Sequence, residues 1–235
     1  MTSLSFVGIM PAAGIGSRMQ LELPKQYLQF GGRSMIEYSL LALLAETRIE
    51  KVIVALHPED KRFQQLAISL DPRIYTVTGG VSRSKSVLNA LCSLSSSDQV
   101  MAVVHDAARP CLSAGDLKLL LDQAQQDPKQ GAILATPVRD TMKRAKGGYV
   151  LRTEARNDLW HALTPQVFMA SELATQIMAA NSAGVDITDE ASAMEWAGFR
   201  PALVKGSSNN IKVTQADDLA LAACLLQQNG HQENQ

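Results

Sequence analysis

Cysteine is scarce in this sequence: Cys92, Cys111 and Cys224 lie far apart, and none belongs to a C-x-x-C pair. That excludes a disulfide scaffold and the common thiolate zinc and redox motifs, and it makes a reducing compartment the expectation. Cys111 reads as a small, partly buried residue. Long apolar runs are also missing. Leu40–Ala45 and Val100–Val104 fall far short of the roughly 20 residues that cross a bilayer. No basic segment precedes an apolar run at the N-terminus, where Phe6–Met10 leads directly into Pro11, so no export signal is expected and the cytoplasm is the expected location. There is no excess of charge of either sign. A formal net charge of −1 excludes the broad basic surface of nonspecific nucleic-acid binding, so an anionic ligand has to meet a local cluster of cations.

What is present is an apolar fraction of 46% spread over 235 residues, enough for a substantial core. Phe6–Met10, Lys51–Leu56, Ile74–Thr78, Val100–His105 and Ala132–Thr136 are short, mostly β-branched runs with little polar alternation. They predict buried parallel strands. Segments of helical spacing lie between them at Met35–Ala45, Pro58–Ser69, Ser84–Leu94 and Ala114–Gln125. This βαβα order predicts a doubly wound α/β sheet that presents ligands at the carboxyl ends of its strands.

The rhythm breaks after Pro137. Arg139–Arg156 is polar and carries Gly147-Gly148 at its centre, which predicts a β-hairpin with a tight glycine turn. Such a ribbon is marginal alone, so packing against a second subunit is expected. Beyond it the sequence predicts a semi-extended Trp160–Phe168, helices over Ser171–Asn181 and Asp189–Trp196, strands near Leu203 and at Ile211–Val213, a last helix over Ala216–Gln227 and a polar tail. Thr188 and Thr214 stand where helix N-terminal signals are expected. The whole, residues 1–235, reads as a single domain with an arm at about 139–157.

The first strand runs into Pro11-Ala12-Ala13-Gly14-Ile15-Gly16-Ser17-Arg18-Met19. Small residues and two glycines let backbone N–H groups approach an anion, while Arg18 adds a permanently charged planar donor. A dinucleotide fingerprint would need glycine in place of Met19 and an acidic end to the second strand, which instead closes Ala55-Leu56-His57. The Gly-Lys-Ser/Thr of a Walker A loop is absent too. Pro24-Lys25-Gln26-Tyr27 places a second cation in a proline-fixed loop nearby.

Together, P-A-A-G-x-G-x-R-M and P-K-Q-Y resemble the signature of the 2-C-methyl-D-erythritol 4-phosphate cytidylyltransferases of non-mevalonate isoprenoid biosynthesis. The resemblance extends, in that family's order, to Gly79-Gly80 with Arg83 and Ser86-Val87, to Val104–Pro110, to Thr136-Pro137-Val138 with Asp140-Thr141, to Leu159–Gln166, to Thr188–Ser192 and to Asn210–Thr214. It covers the chain from about Val7 to Leu225. It implies a Rossmann-like doubly wound, mostly parallel sheet of the nucleotidyltransferase type with a protruding β-hairpin arm.

The implied reaction uses CTP and Mg²⁺, with a phosphate oxygen of a small polyol phosphate attacking the α-phosphorus as pyrophosphate leaves. A phosphate monoester is largely dianionic at neutral pH, so no Ser/His/Asp triad is needed. Repulsion between the two anions is the harder problem, and Arg18, Lys25, Arg109, Arg156, Lys212 and a divalent metal would relieve it. By resemblance, Arg18, Lys25 and Lys212 act on the phosphates in catalysis and Asp106 holds Mg²⁺. Ala12, Ala13, Gly14, Gly80 and Ser86 bind the nucleotide. Arg109, Thr141, Arg156, Thr164 and Thr188 recognise the acceptor. The hairpin belongs to a homodimer interface in the family. Val81 stands where some members carry an acidic residue near the base.

His105, His161 and Trp160 read as structural residues, and Lys143-Arg144 as a solvated face. A ribitol 5-phosphate cytidylyltransferase would keep the nucleotide half almost unchanged. A sugar-1-phosphate nucleotidyltransferase would use another base. A noncatalytic nucleotide-binding module would not require Arg18, Lys25, Asp106 and Lys212 together.

Overall fold

The computed structural model describes residues 4–14, 23–94 and 99–232. Its centre is a seven-stranded sheet in the order β11-β7-β10-β6-β1-β4-β5. The strands are β1 (Ser5–Ala12), β4 (Ile49–Leu56), β5 (Ile74–Thr78), β6 (Val100–Val104), β7 (Ala132–Pro137), β10 (Trp160–Met169) and β11 (Ala202–Lys205). Two ribbons stand apart from it: β2 (Gln29–Phe30) with β3 (Arg33–Ser34), and β8 (Met142–Lys146) with β9 (Tyr149–Glu154). The helices are α1 (Met35–Leu44), α2 (Arg83–Cys92), α3 (Ala114–Gln126), α4 (Ala170–Ser182), α5 (Glu190–Trp196) and α6 (Ala216–Gln232).

The inner strands β1, β4, β6 and β7 are largely apolar because both faces of the sheet are covered there, whereas the edge strand β5, expected to be buried, has no fully buried residue. On β1, Phe6, Met10 and Ala12 pack on one side with α1 and α3, while Val7 and Ile9 pack on the other with α2, α4 and α5. A third cluster joins Met35 at the start of α1 to Ala108, Cys111, Val213 and Ala222 of α6. Burial pushes the Cys111 thiol up to about 11, in keeping with a packed rather than reactive cysteine.

β1 pairs in parallel with β4 on one side and β6 on the other, and β4 pairs in parallel with β5. Chain order therefore reverses between β1 and β6, which opens a crevice at their carboxyl ends. β10 runs antiparallel to both neighbours, β6 and β7. The expected semi-extended Trp160–Phe168 is thus a full strand inside the sheet.

Other expectations need correction. Pro58–Ser69 is not an α-helix but short 3-10 turns at Phe63–Gln65 and Ala67–Leu70. The Asp60 carboxylate accepts from the Arg62 and Phe63 N–H groups at 2.9 and 3.0 Å, a local turn that competes with helical bonding. Leu66 is extended between the turns. Ile211–Val213 is not a strand: Val213 N–H donates to the Ala108 carbonyl at 2.8 Å, and this backbone tether brings Lys212 to the end of β6. The N-cap of α5 is Asp189 rather than Thr188. The expected tail beyond Gln227 continues as helix to Gln232.

The hairpin forms as expected. Gly147 and Gly148, with φ of 58° and 85°, supply the left-handed turn that other residues resist. Past the turn, on β9, Tyr149, Val150 and Leu151 are exposed one after another.

Candidate active site

A cleft of about 600 Å³ opens at the carboxyl ends of β1, β5 and β6, at the topological switch point. Its floor is the end of β1, Pro11 to Gly14, and the loop after β6, Asp106 to Ala108. The Gly79-Gly80 turn forms one wall, and Lys25 with Lys212 stand at another.

The glycine turn is there because nothing larger fits. A Cβ on Gly79 would lie 2.4 Å from the Ala13 Cβ and 3.1 Å from the Leu56 carbonyl oxygen. Gly79 N–H donates to that same carbonyl at 2.7 Å, which locks the turn against the first loop. Ser86 is buried and works inward: its Oγ accepts from Gly80 N–H at 3.0 Å and donates to the Ser82 carbonyl at 2.9 Å. Val81 projects fully into solvent at the mouth.

The Pro24–Tyr27 segment is pinned on both sides of its lysine. Gln26 Nε2 donates to the Ala12 carbonyl at 2.9 Å, and the Tyr27 hydroxyl to Asp60 at 2.7 Å. Burial, helped by the Asp60 carboxylate, raises the Tyr27 hydroxyl far above the usual tyrosine range, so it remains a donor. Lys25 Nζ reaches the Val213 carbonyl at 3.4 Å across 188 positions of sequence. Two expected cationic segments thereby meet.

Asp106 is the acidic residue of the cleft wall among the described residues. Its Oδ1 accepts from Arg83 Nε at 2.8 Å and its Oδ2 from Lys212 Nζ at 2.7 Å. Burial alone would raise its pKa, but the charges of Arg83 and Lys212 hold it well below the usual carboxylate range. Arg83 continues to Glu190, donating NH1 and NH2 to the two carboxylate oxygens at 2.7 and 3.0 Å. Burial opposes the Arg83 charge, yet Glu190 and Asp106 together hold it still more firmly protonated.

Behind Asp106 lies a buried polar relay. Thr164 Oγ1 accepts from Asp106 N–H at 3.1 Å and stands 3.0 Å from His105 Nδ1. The threonine proton therefore goes to Nδ1, and Nε2–H donates to the Arg109 carbonyl at 3.0 Å. Burial holds His105 neutral, its pKa lowered to about 4, which supports the structural reading of this histidine.

The structure thus gathers Ala12, Ala13, Gly14, Lys25, Gly80, Ser86, Asp106 and Lys212 around one cleft. Arg18 lies outside the described residues. Arg109, Thr141, Arg156, Thr164 and Thr188 do not line this cleft. Thr164 sits behind it. Arg109 is buried, donating NH1 to the Asn210 carbonyl at 2.7 Å while its Nε has no partner. Thr141 and Arg156 are exposed at the base of the hairpin, where the Arg156 guanidinium donates to the Arg139 carbonyl. Thr188 is exposed, with its N–H donating to Ser192 Oγ at 3.1 Å.

Sequence reasoning gave no role to Arg83 or Glu190. Both stand in the motif blocks quoted above, and a further local hint is a cation in the first turn of α2, where the helix dipole disfavours it. Among the described residues there is no group of three or more His, Cys, Asp or Glu placed to hold a metal.

The comparisons agree with this geometry. The family model described as IspD, 2-C-methyl-D-erythritol 4-phosphate cytidylyltransferase, matches residues 6–228. A relative of that name from Shewanella amazonensis is 53% identical, over 96% of this chain and 95% of that protein. Another from Escherichia coli O1:K1 / APEC is 49% identical, over 99% and 98%. Among solved structures, the Francisella tularensis 2-C-methyl-D-erythritol 4-phosphate cytidylyltransferase superposes with a TM-score of 0.82 at 33% identity, covering 94% of this chain and 99% of that one. A family match that spans both sides of the switch-point cleft, the Lys25 segment and the Lys212 tether places this chain in the 2-C-methyl-D-erythritol 4-phosphate cytidylyltransferase family.

Proposed function

We propose that the switch-point cleft transfers the cytidylyl group of CTP to 2-C-methyl-D-erythritol 4-phosphate, forming 4-diphosphocytidyl-2-C-methyl-D-erythritol and pyrophosphate. The observation that carries this reading is the convergence of Lys25 and Lys212 on the glycine-lined end of β1, beside an ionised Asp106. An acceptor phosphate oxygen forms the new bond to the α-phosphorus in line, and the bond from that phosphorus to the β-bridging oxygen breaks. The chain's own contribution is placement and charge: Arg18, Lys25 and Lys212 counter the negative charge gathered at the phosphates. Ala12, Ala13, Gly14, Gly80 and Ser86 form or support the nucleotide cradle.

Asp106 fits a Mg²⁺ site. Its carboxylate is held ionised, each oxygen keeps lone-pair capacity beyond one hydrogen bond, and Mg²⁺ needs only one or two carboxylates when phosphates and water complete its shell. When bound, the ion would neutralise phosphate charge. Acceptor recognition falls to Arg109, Thr141, Arg156 and Thr188, with Thr164 contributing from behind the cleft by holding the Asp106 N–H. The chain acts as one nucleotidyltransferase domain whose hairpin, with Tyr149, Val150 and Leu151 exposed, packs in a homodimer. No helix among the described residues is long and apolar enough to cross a membrane, which is compatible with a cytoplasmic enzyme.

The test supplies Mg²⁺ and CTP with either 2-C-methyl-D-erythritol 4-phosphate or ribitol 5-phosphate, and measures pyrophosphate and the cytidine-linked product. Release with the methylerythritol compound alone is expected. Release with ribitol 5-phosphate alone would replace the acceptor, and nucleotide binding without turnover would replace the reaction.

A further inference from the structure

Asp106 is held unequally on its two oxygens. Lys212, on Oδ2, is a single flexible ammonium whose side chain is 41% exposed. It can leave for a phosphate at little cost. Arg83, on Oδ1, cannot leave in the same way, because its two remaining donor groups are spent on Glu190. Glu190 is almost wholly buried, with a side chain 1% exposed. Arg83 is its ion-pair partner among the described residues, and separating them would strand a buried carboxylate.

Glu190 is itself held in place. Asp189 Oδ1 accepts from Ser192 N–H at 2.9 Å and caps α5. Gln166 of β10 then clamps the same turn, donating Nε2 to Asp189 at 2.8 Å and accepting from Ala191 N–H at 2.8 Å. β10 also carries Thr164, which takes the Asp106 backbone N–H. One strand therefore fixes both the backbone of Asp106 and the anchor of the arginine that grips its side chain.

We propose that Arg83 and Glu190 are a positioning pair for Asp106. Glu190 anchors Arg83, Arg83 fixes Oδ1, and Oδ2 is the exchangeable oxygen, released by Lys212 to a divalent cation as the triphosphate arrives. This rests on the reading of Asp106 as the metal-holding residue. Only arginine suits the central place, since its planar fork reaches both carboxylates at once while a lysine would serve one. The charges alternate from Glu190 through Arg83 and Asp106 to Lys212, so the chain of ion pairs is neutral and releases one positive charge toward the phosphates when Lys212 departs.

The test uses the full-length protein and four variants, Glu190→Gln, Arg83→Lys, Asp106→Asn and Glu190→Gln with Asp106→Asn, each checked for folding by near-ultraviolet circular dichroism. Mn²⁺ binding to the CTP complex is followed by the paramagnetic resonance of free Mn²⁺, and turnover is measured across Mg²⁺ concentrations. Glu190→Gln and Arg83→Lys are each expected to weaken Mn²⁺ binding about 10–100-fold, the usual cost of losing an outer support of a metal ligand. The Mg²⁺ needed for half-maximal turnover rises in step, while KM for the acceptor stays within about twofold. The double variant is expected to bind Mn²⁺ no more weakly than Asp106→Asn alone, because Glu190 acts through Asp106.

Additive losses in the double variant, or unchanged Mn²⁺ binding in Glu190→Gln, would overturn the positioning pair while leaving Asp106 in place. If Glu190→Gln does not fold, Arg83→Lys decides the matter by the same Mn²⁺ measurement. Unchanged binding in Asp106→Asn would overturn the metal-holding role and the pair together.

Discussion

Adding one methyl group at Gly79 probes whether the cleft depends on the close approach of its two loops. The new Cβ would sit 2.4 Å from the Ala13 Cβ, with the Leu56 carbonyl oxygen and Ser86 Oγ each at 3.1 Å. Carbon atoms pack at about 3.5–4.0 Å, so the Ala13 and Gly79 loops must separate by roughly 1 Å. Neither can give way through a flexible side chain, since the nearest obstacle is the Cβ of an alanine and another is backbone. Overpacking of this kind costs about 1–3 kcal/mol, or a fall in Tm of roughly 2–10 °C for a chain of this size. A displacement of about 1 Å at a reacting centre lowers turnover by about 100-fold.

The assay pairs a thermal melt with kcat/KM for CTP in pyrophosphate release. Gly115→Ala is the matched control: it makes the same chemical change in the first turn of α3, where the added Cβ meets nothing within 4 Å, and a gain of about 0.4–1 kcal/mol is expected. A Gly79→Ala protein with the Tm and turnover of the unmodified chain would refute the close-packed cleft.

Three further outcomes follow from the buried relay and the hairpin. Thr164→Val removes the acceptor for Asp106 N–H and the donor to His105 Nδ1; urea denaturation should show a loss of about 1–3 kcal/mol, and an unchanged midpoint would contradict the relay. His105 stays neutral in the folded protein down to about pH 4, against an ordinary value of 6.5. Between those values the unfolded chain takes up a proton that the folded one refuses, so stability present above pH 6.5 is lost as pH falls toward 4, by about 3 kcal/mol. Proton resonance of the ring checks this, and a His105 signal titrating near pH 6.5 would refute it. Val150→Ser with Leu151→Ser should convert the proposed dimer to monomer in sedimentation velocity at micromolar protein; a variant that sediments like the unmodified chain would remove the hairpin from the interface.

Much of the fold was legible because it is written in local patterns. The runs at Phe6–Met10 and Lys51–Leu56 read as buried strands and lie inside the sheet, whereas Ile74–Thr78, read the same way, forms the sheet's edge strand with Tyr75, Thr76 and Thr78 exposed. Gly147-Gly148 announced the hairpin through a backbone shape that glycine adopts freely. Pro58–Ser69 misled because its apolar spacing suits a helix while Asp60 caps a turn from within it. Ile211–Val213 has the composition of a strand, yet one backbone bond to Ala108 and packing against α6 hold it as a tether.

The sequence by itself determined the layers of the fold, the glycine loops and the identity of the cations, because propensity, periodicity and turn chemistry act over a few residues. Tertiary structure alone decided which charges meet. Arg83 and Glu190 are 107 positions apart, Lys25 and Val213 are 188 apart, and no local pattern links them. Chain reversal between β1 and β6, with β10 inserted antiparallel beside β6, brings those side chains to one crevice. Buried charges must find counter-charges there, so the pairing is set by strand order rather than by neighbours in sequence.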